Sequence, residues 1–420
     1  MLDALTLDVP AEPFSLARRL RGRADLSLVW GEQGRVAYLT CEATARSSAL
    51  DPEPTLARAP GTPLHAVPRW IGLLPYEHRR ELEREGHGAG RAAPHVSEPS
   101  WARYAAVAVI DERGVRVVGD DLERMRALAG YLREPAKNTR IELSLRGPVE
   151  ASELHEGRVR RALDHIRAGN LYQVNLARRF EFSVRGAALD LLERLCAQSR
   201  PPYAAAFARG ELDVISLSPE LFLKIDASGL AFTSPIKGTR PRGVTPERDA
   251  QLMHELDHDP KEKAELTMVL DVERNDLARV SVPGSVVLVD PPHVETHETV
   301  HHRVATLRAS LRPTATRAEV LEWMLPSGSV TGAPKVRAMD LIAELEAERR
   351  GLYTGAFGYL AHDGSLELGM AIRTLTVRDG VGHYFAGGGI VADSDPAREV
   401  EETLWKAEAL LRHARSSAKN

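Results

Sequence analysis

The chain has 420 residues, with 55 Lys+Arg against 59 Asp+Glu and a formal net charge of −4. Hydrophobic residues make up 43% and charged residues 27%, ordinary globular usage that allows a large buried core. The near-neutral balance gives no global pull toward nucleic acid or an anionic membrane, so a small ligand held by local charge is expected. The first fourteen residues carry three acids and no basic segment, so no signal peptide is expected. No apolar run approaches the ~18–20 residues that cross a bilayer. Two cysteines, Cys41 and Cys196, leave neither a disulfide framework nor a cysteine zinc site. A soluble protein of a reducing compartment, the cytoplasm, is expected.

Along residues 1–150, Pro/Gly/Ala-rich stretches (Asp51-Pro-Glu-Pro54, His87-Gly-Ala-Gly90) separate strand-like runs at Leu26–Trp30, Val36–Thr40 and Ala105–Ile110. A helix is expected around Tyr76–Glu85. A boundary near Gly147–Ser152 sets this region, packed into the same body, apart from a unit spanning 151–415. There the patterns sharpen. Val159, Ala162, Leu163 and Ile166 recur at helical spacing before Gly169. Next, Tyr172, Val174, Leu176, Phe180 and Phe182 share one face of a long strand, with Gln173, Asn175, Ala177, Arg179 and Glu181 on the other. Further strands are predicted at Val214–Ser218, Leu221–Ile225, Leu230–Ile236, Ser285–Asp290, Val300–Leu307, Gly358–Ala361, Leu366–Ile372 and His383–Ala386. Helices are predicted at Pro246–His258, Pro260–Asp276, Ala318–Met324, Pro334–Arg350 and Pro396–His413. Strand runs followed by helices, without βαβ alternation, indicate an α+β layered body with large antiparallel sheets. Strands with one polar face must bury the other against helices, which leaves the polar face to line a cleft.

Four constellations carry possible chemistry. On the last helix Glu399, Glu402 and Lys406 fall on one face, opposite Val400, Leu404, Ala407 and Leu411. Two carboxylates one turn apart can hold a hard divalent cation, or can form a solvated Glu/Lys face. Glu265 borders the stripe of Leu266, Val269 and Val272, where a charge needs an ion-pair partner or a metal. Arg274, Asn275 and Asp276 read as helix-end pairs and caps. The turn from Pro326 to Lys335 leads into a helix whose N-terminus can meet an anion, although it lacks the P-loop ending. Gly387, Gly388 and Gly389 suit either close ligand approach or a bulge or hairpin. Lys237, at a strand end, is a candidate nucleophile, and Glu220, ending another strand, a candidate general acid; a surface turn is the alternative for both. Among His293, His297, His301 and His302, strand spacing separates His297 from His301 by roughly 13 Å, so a single inward imidazole, His302, is expected rather than a metal cluster.

Together these segments resemble the chorismate-utilising enzymes, a family that includes anthranilate, aminodeoxychorismate, isochorismate and salicylate synthases. The resemblance spans about Ser152 to His413. It rests on Tyr172-Gln-Val-Asn-Leu176, Ser218-Pro-Glu220, Pro235-Ile-Lys-Gly-Thr-Arg-Pro-Arg-Gly243, Lys261-Glu-Lys-Ala-Glu265, Arg274-Asn-Asp276, Ser329-Val-Thr-Gly-Ala-Pro-Lys335, Tyr353-Thr-Gly-Ala356, Ala371-Ile-Arg-Thr374, Gly387-Gly-Gly-Ile-Val391 and Glu399-Val-Glu-Glu-Thr403. It implies a layered anthranilate-synthase-like fold, two large mostly antiparallel sheets packed together and flanked by helices. It also implies that Glu265, Glu399 and Glu402 hold Mg2+, which clamps the ring carboxylate of chorismate. Tyr353, Arg373 and Gly387, Gly388 and Gly389 would hold the enolpyruvyl carboxylate. Lys406 would bind a carboxylate, Thr239 and Gln173 would contact substrate, and His302 would be the active-site histidine.

Two positions discriminate within the family. Isochorismate and salicylate synthases resemble one another in a general-base lysine where this chain has Gln173, so ammonia rather than water is the expected nucleophile. Lys237, in Pro-Ile-Lys-Gly, and Asn175 resemble the aminodeoxychorismate synthase component I branch, whereas anthranilate synthases carry Pro-Ile-Ala-Gly. The implied reaction is amination of chorismate at C4, with Lys237 as nucleophile and Glu220 as acid. Anthranilate synthesis is the runner-up, and a non-catalytic chorismate-binding subunit the alternative of another class. Neither cysteine lies in a glycine-flanked nucleophile elbow, so a separate glutamine amidotransferase is expected as partner. With no lyase segment recognised, release of 4-aminobenzoate is expected to need a further enzyme.

Overall fold

The computed structural model describes residues 2–55, 66–78, 94–137, 141–148, 150–199 and 201–417. Among them, twelve strands form one sheet, all adjacent pairs antiparallel. From edge to edge it runs Asp3–Leu7, Gly114–Gly119, Ala106–Asp111, Val36–Thr40, Leu26–Gly31, Tyr203–Arg209, Leu212–Ser218, Thr374–Arg378, Val381–Ile390, Gln173–Arg185 and Gly332–Ala333, with Glu142–Pro148 also on Gln173–Arg185. A ten-stranded sheet runs Ile236–Pro241, Val300–Ser310, Leu230–Ser234, Leu221–Ile225, Leu366–Met370, Ala356–Ala361, Pro68–Leu74, Ser100–Arg103 and Ala45–Ser47, with Val287–Thr296 on Val300–Ser310. The expected pair of large antiparallel sheets is therefore present. Early strands are woven into both: Leu26–Gly31 pairs with Tyr203–Arg209, and Pro68–Leu74 with Ala356–Ala361.

The sheets meet through one apolar layer that includes Ile71, Tyr104, Phe207, Phe357 and Tyr359. Helices cover the outer faces. Leu28, Leu39, Phe180 and Phe182 of the first sheet pack with Leu191, Leu192 and Leu411 of its helices. Phe222, Ala305 and Leu307 of the second pack with Leu266, Leu270 and Leu321. Two helices position the site. Pro260–Ala278 starts at Asp259, whose carboxylate accepts from the N–H groups of Lys261 and Glu262 at 2.9 and 3.2 Å. Pro396–Ser417 starts after Asp395, which accepts from Arg398 N–H at 3.0 Å.

Several expectations need correction. Leu230–Ile236 is two strands broken at Pro235, because proline cannot donate to the ladder; both halves run along Val300–Ser310. Tyr172 lies off the apolar face, 74% exposed, one residue before its strand. It stands at the sheet edge, where its N–H bonds the Ala333 carbonyl at 2.8 Å. The helix expected from Pro334 begins at Lys335 and ends at Leu345. Of the helix around Tyr76–Glu85, a short 3-10 turn spans Tyr76–His78; the remainder and His87-Gly-Ala-Gly90 lie outside the described residues. No helix among the described residues is long and apolar enough to cross a membrane.

Packing across the strands makes one prediction. Gly72 stands opposite Trp101, and a Cβ there would enter the indole, 2.9 Å from Cζ3. Gly130, on a helix, has open space around it. Gly72→Ala should destabilise by about 1–3 kcal/mol, whereas Gly130→Ala should stabilise by up to about 1 kcal/mol. Thermal melts of both variants check this; equal melting temperatures would contradict it.

Candidate functional site

The three glycines form neither hairpin nor bulge. They sit in a regular ladder between Val381–Ile390 and Gln173–Arg185, with Gly388 opposite Leu176 and Gly389 opposite Asn175. What requires glycine is the crowding above them. A Cβ on Gly388 would lie 2.9 Å from Glu399 Oε2 and 3.1 Å from Glu402 Oε1. A Cβ on Gly389 would run into Gln173 Nε2 and lie 3.6 Å from Lys237 Nζ. Bare backbone thus admits two carboxylates, an amide and an amine drawn from three elements.

The acids are set at the inner faces of two helices. Glu399 is buried, and its Oε2 has no hydrogen-bond partner. Burial raises its carboxyl, opposed by a hydrogen bond from Ser394 and reinforced by Glu402. Glu265 is 12% exposed and 3.8 Å from Lys261. It too is raised, by burial first, with Lys237 and Lys261 opposing and Glu262 and Glu402 adding repulsion. Glu402 stands at the rim. Burial pulls it up, but Lys406, Lys237 and Lys261 together hold it below the ordinary range. Its Oε1 receives Lys406 Nζ at 2.6 Å, and the same ammonium donates to Gly387 O at 2.6 Å. Among the described residues no three His, Cys, Asp or Glu side chains are gathered as a preformed metal cluster.

Lys237 is the group these acids share, since its charge acts on Glu265, Glu402 and Glu220 alike. Glu220 is fully enclosed. Burial pushes its carboxyl up to about 8, with Ser329 and Lys237 opposing and Glu273 adding to the rise. It is therefore largely protonated at neutral pH, as a general acid must be.

Arg373 links further predicted residues, its charge acting on both His302 and Tyr353. His302 faces Thr239 across the ladder and shares a 2.9 Å hydrogen bond between Nδ1 and Thr239 Oγ1. Burial, with His297 and Arg373 nearby, lowers its imidazole to about 4, so it is neutral at physiological pH. Arg373 adopts φ +53°, a region L-residues seldom occupy, and donates to the Lys406 carbonyl at 3.1 Å. Tyr353 stacks on Phe385 at 5.3 Å and is raised by burial, with Arg350 opposing. Gln173 is buried with its Oε1 unpartnered. The expectation of one inward histidine fails: His301 is more buried than His302. Covered by the Pro246–His258 helix, it bonds Asp249 at 3.0 Å and Thr296 at 2.9 Å, so both strand faces are packed.

The segment Pro326–Lys335 differs from the open anion-binding turn its glycines suggested. Lys335 is buried and donates to Asp276 at 2.9 Å and to the carbonyls of Trp323 and Met324. Asp276 is thus an interior pair, about half a turn before the helix end at Ala278, rather than a cap. The segment's serines serve carboxylates instead, Ser329 bonding Glu220 and Ser327 bonding Glu273. Ser329 opens one of the motifs of the resemblance, but no sequence pattern assigned a role to Glu273, Ser327 or Ser329; only the fold brings them together.

With this geometry in place, comparison with known proteins is direct. Residues 12–412 match the family model of the chorismate binding enzyme. The chain belongs to that family. It is similar to anthranilate synthase component 1 of Thermus thermophilus, 46% identical over 254 residues, 60% of this chain and 55% of that protein. It is also similar to aminodeoxychorismate synthase component 1 of Klebsiella aerogenes, 36% identical over 352 residues, 82% and 77% of the two chains. The solved anthranilate synthase component I of Streptococcus pneumoniae superposes with a TM-score of 0.75 at 28% identity, covering 97% of this chain and 92% of that one. The chain thus spans little more than half of the Thermus relative.

The buried acids give stability a pH dependence. Glu220 and Glu273 are raised from 4.5 to about 8 and about 7, so the native chain holds protons the unfolded chain releases. Their contribution is complete below the unfolded value and lost as pH climbs to the folded values. His302, His155 and His362, all lowered to about 4, and His383, lowered to about 3, act oppositely while their unfolded counterparts titrate around 6.5, an effect largely spent by about pH 7.5. Above about pH 7.5 the unfolding free energy should therefore fall by on the order of half a kcal/mol per pH unit. Glu220→Gln should flatten that slope. Urea titrations at several pH values measure it, and a native slope of zero would contradict the assignment.

Proposed function

We propose that this chain aminates chorismate at C4, giving 4-amino-4-deoxychorismate for 4-aminobenzoate and folate synthesis in the cytoplasm, with ammonia from a separate glutamine amidotransferase. The observation that carries the reading is Lys237, an amine held among carboxylates beside a bare strand, with the protonated acid Glu220 close enough to feel its charge. Lys237 Nζ attacks C2 of the ring while the C4 hydroxyl departs as water, taking its proton from Glu220. Ammonia then bonds to C4 and the C2–N bond to Lys237 breaks, so the net change is substitution at C4. Gln173, an amide, offers no proton-accepting amine to activate water at the neighbouring face. Neutral His302 and the cation Arg373 bind and orient, Arg373 and Tyr353 at the enolpyruvyl carboxylate and Lys406 at a carboxylate.

A hard cation fits the acid set. The unpartnered, buried Glu399 Oε2 and the mutual repulsion among Glu265, Glu399 and Glu402 are both relieved by a divalent ion. Glu265, Glu399 and Glu402 would hold Mg2+, which when bound offsets the negative charge of the substrate and polarises its ring carboxylate. Both cysteine thiols are buried and pushed up by burial, so neither suits glutamine hydrolysis. A second reading, anthranilate synthesis, is favoured by the name of the Thermus relative.

Purified protein with chorismate, ammonium and Mg2+ separates the two. The proposal expects a product with the mass and retention time of 4-amino-4-deoxychorismate. Lys237→Ala should lower its formation on the order of 10³-fold or more. Fluorescent anthranilate formed without any added lyase, or an unaffected Lys237→Ala rate, would overturn it.

A further inference from the structure

A chain of four oxygen-bearing side chains runs inward from Glu220. Ser329 Oγ lies 2.7 Å from Glu220 Oε1, Ser327 Oγ 3.0 Å from Ser329 Oγ, and Glu273 Oε1 2.6 Å from Ser327 Oγ. All four residues are buried. Thr233 Oγ1 closes the far end, donating to Glu273 Oε2 at 2.7 Å. Three consecutive links join the two carboxyls, and each needs one hydrogen. The two serine hydroxyls supply only two. The third must be a carboxyl proton, so the chain is fully hydrogen-bonded when one of the two acids is protonated and the other ionised.

We propose that Glu273 is a positioning residue that shares one proton with Glu220 through Ser327 and Ser329, keeping the general acid charged with its proton between turnovers. When the proton is on Glu273, it passes to Ser327 as the Ser327 proton passes to Ser329 and the Ser329 proton to Glu220. The reverse shift restores Glu273, with no net change in atoms or charge. When Glu220 gives its proton to the departing C4 hydroxyl, both carboxyls are ionised, and the pair regains one proton from the nitrogen newly bound at C4. This last step rests on the amination reading; the shared proton does not.

The surroundings favour such a pair. Burial is the largest influence raising both acids, and Glu273 adds to the rise of Glu220. Lys237 is the cation bearing on Glu220. Asp276 and Lys335 bear on Glu273 with opposite signs and are paired to each other at 2.9 Å. Charges on the other packed elements are engaged elsewhere, Arg303 with Asp257, Arg240 with Asp259 and Arg317 with Asp51.

Glu273→Gln keeps the shape and removes the charge. The pH profile of chorismate consumption, read independently of product identity, should lose about one pH unit from its alkaline limb. Turnover at pH 8 should then drop about fivefold, with KM for chorismate unchanged within about twofold. Ser327→Ala, which cuts the chain but keeps both acids, should slow turnover in the same pH range. A profile superimposable on the native one in both variants would overturn the proposal. Infrared spectroscopy tests it without turnover: the native protein at pH 7.5 should show a protonated-carboxyl stretch that Glu273→Gln diminishes. Absence of that band from the native protein would overturn the shared proton even if amination holds, whereas anthranilate as product would overturn the amination reading and leave the relay standing.

Discussion

Three consecutive residues without side chains are the constraint on which the site depends. In a buried strand glycine weakens packing and loses more entropy on folding than any other residue. Here the missing Cβ atoms leave space that is filled from outside the sheet, by Glu399 and Glu402 over Gly388 and by Gln173 and Lys237 around Gly389. The C-terminal helix can therefore lie close on the sheet with its acids inward. Lys406, one turn beyond Glu402, ties that helix to the Gly387 carbonyl. Sheet, helix and the Lys237 strand thus converge because one strip of backbone is bare.

Around that strip the protein buries polar groups and satisfies most of them from backbone. Arg350 is enclosed, pairs with Glu346 at 2.6 Å, and donates to the carbonyls of Asn175 and Val330. Glu346 in turn accepts from Ala177 N–H at 2.9 Å. This network fixes the strand opposite the glycines and the turn that carries Ser329, and it places a cation 5.5 Å from the Tyr353 ring. Arg178, buried behind the same strand, is held by Thr403 and Ser152. Such pairs are costly to bury unless every partner is present. They hold rotamers in place, which a reaction on a small rigid ring requires. Near the glycines, unpartnered oxygens remain on Glu399, Gln173 and Asn175, the kind of buried group that a bound water, ion or ligand completes.

Much of this was legible in sequence where local chemistry is strong. The helices starting at Asp259-Pro260 and Asp395-Pro396 announce themselves by cap and proline, and their acid faces follow from spacing. Short apolar runs bounded by turn residues, such as Leu221–Ile225, were equally plain. Tyr203–Arg209 was not: it is buried from Tyr203 to Phe207 and passes through three alanines. It does not offer the contrast between faces that periodicity needs. The same limit hid His301, whose strand is covered on both faces. What Ser327, Ser329 and Glu273 do was invisible for another reason. Their partners lie roughly 50 and 110 residues away in sequence, and nothing local marks a serine that serves a distant carboxylate.

The most direct measurement is the steady-state kinetics of Gly388→Ala alongside its thermal melt. A methyl group there must displace the Glu399 and Glu402 carboxylates by tenths of an ångström, enough to disturb a site that tolerates little misplacement. The account predicts that kcat/KM for chorismate falls about 100-fold while the melting temperature moves by only a few degrees. Retained activity in that variant, or loss of activity solely through unfolding, would contradict it.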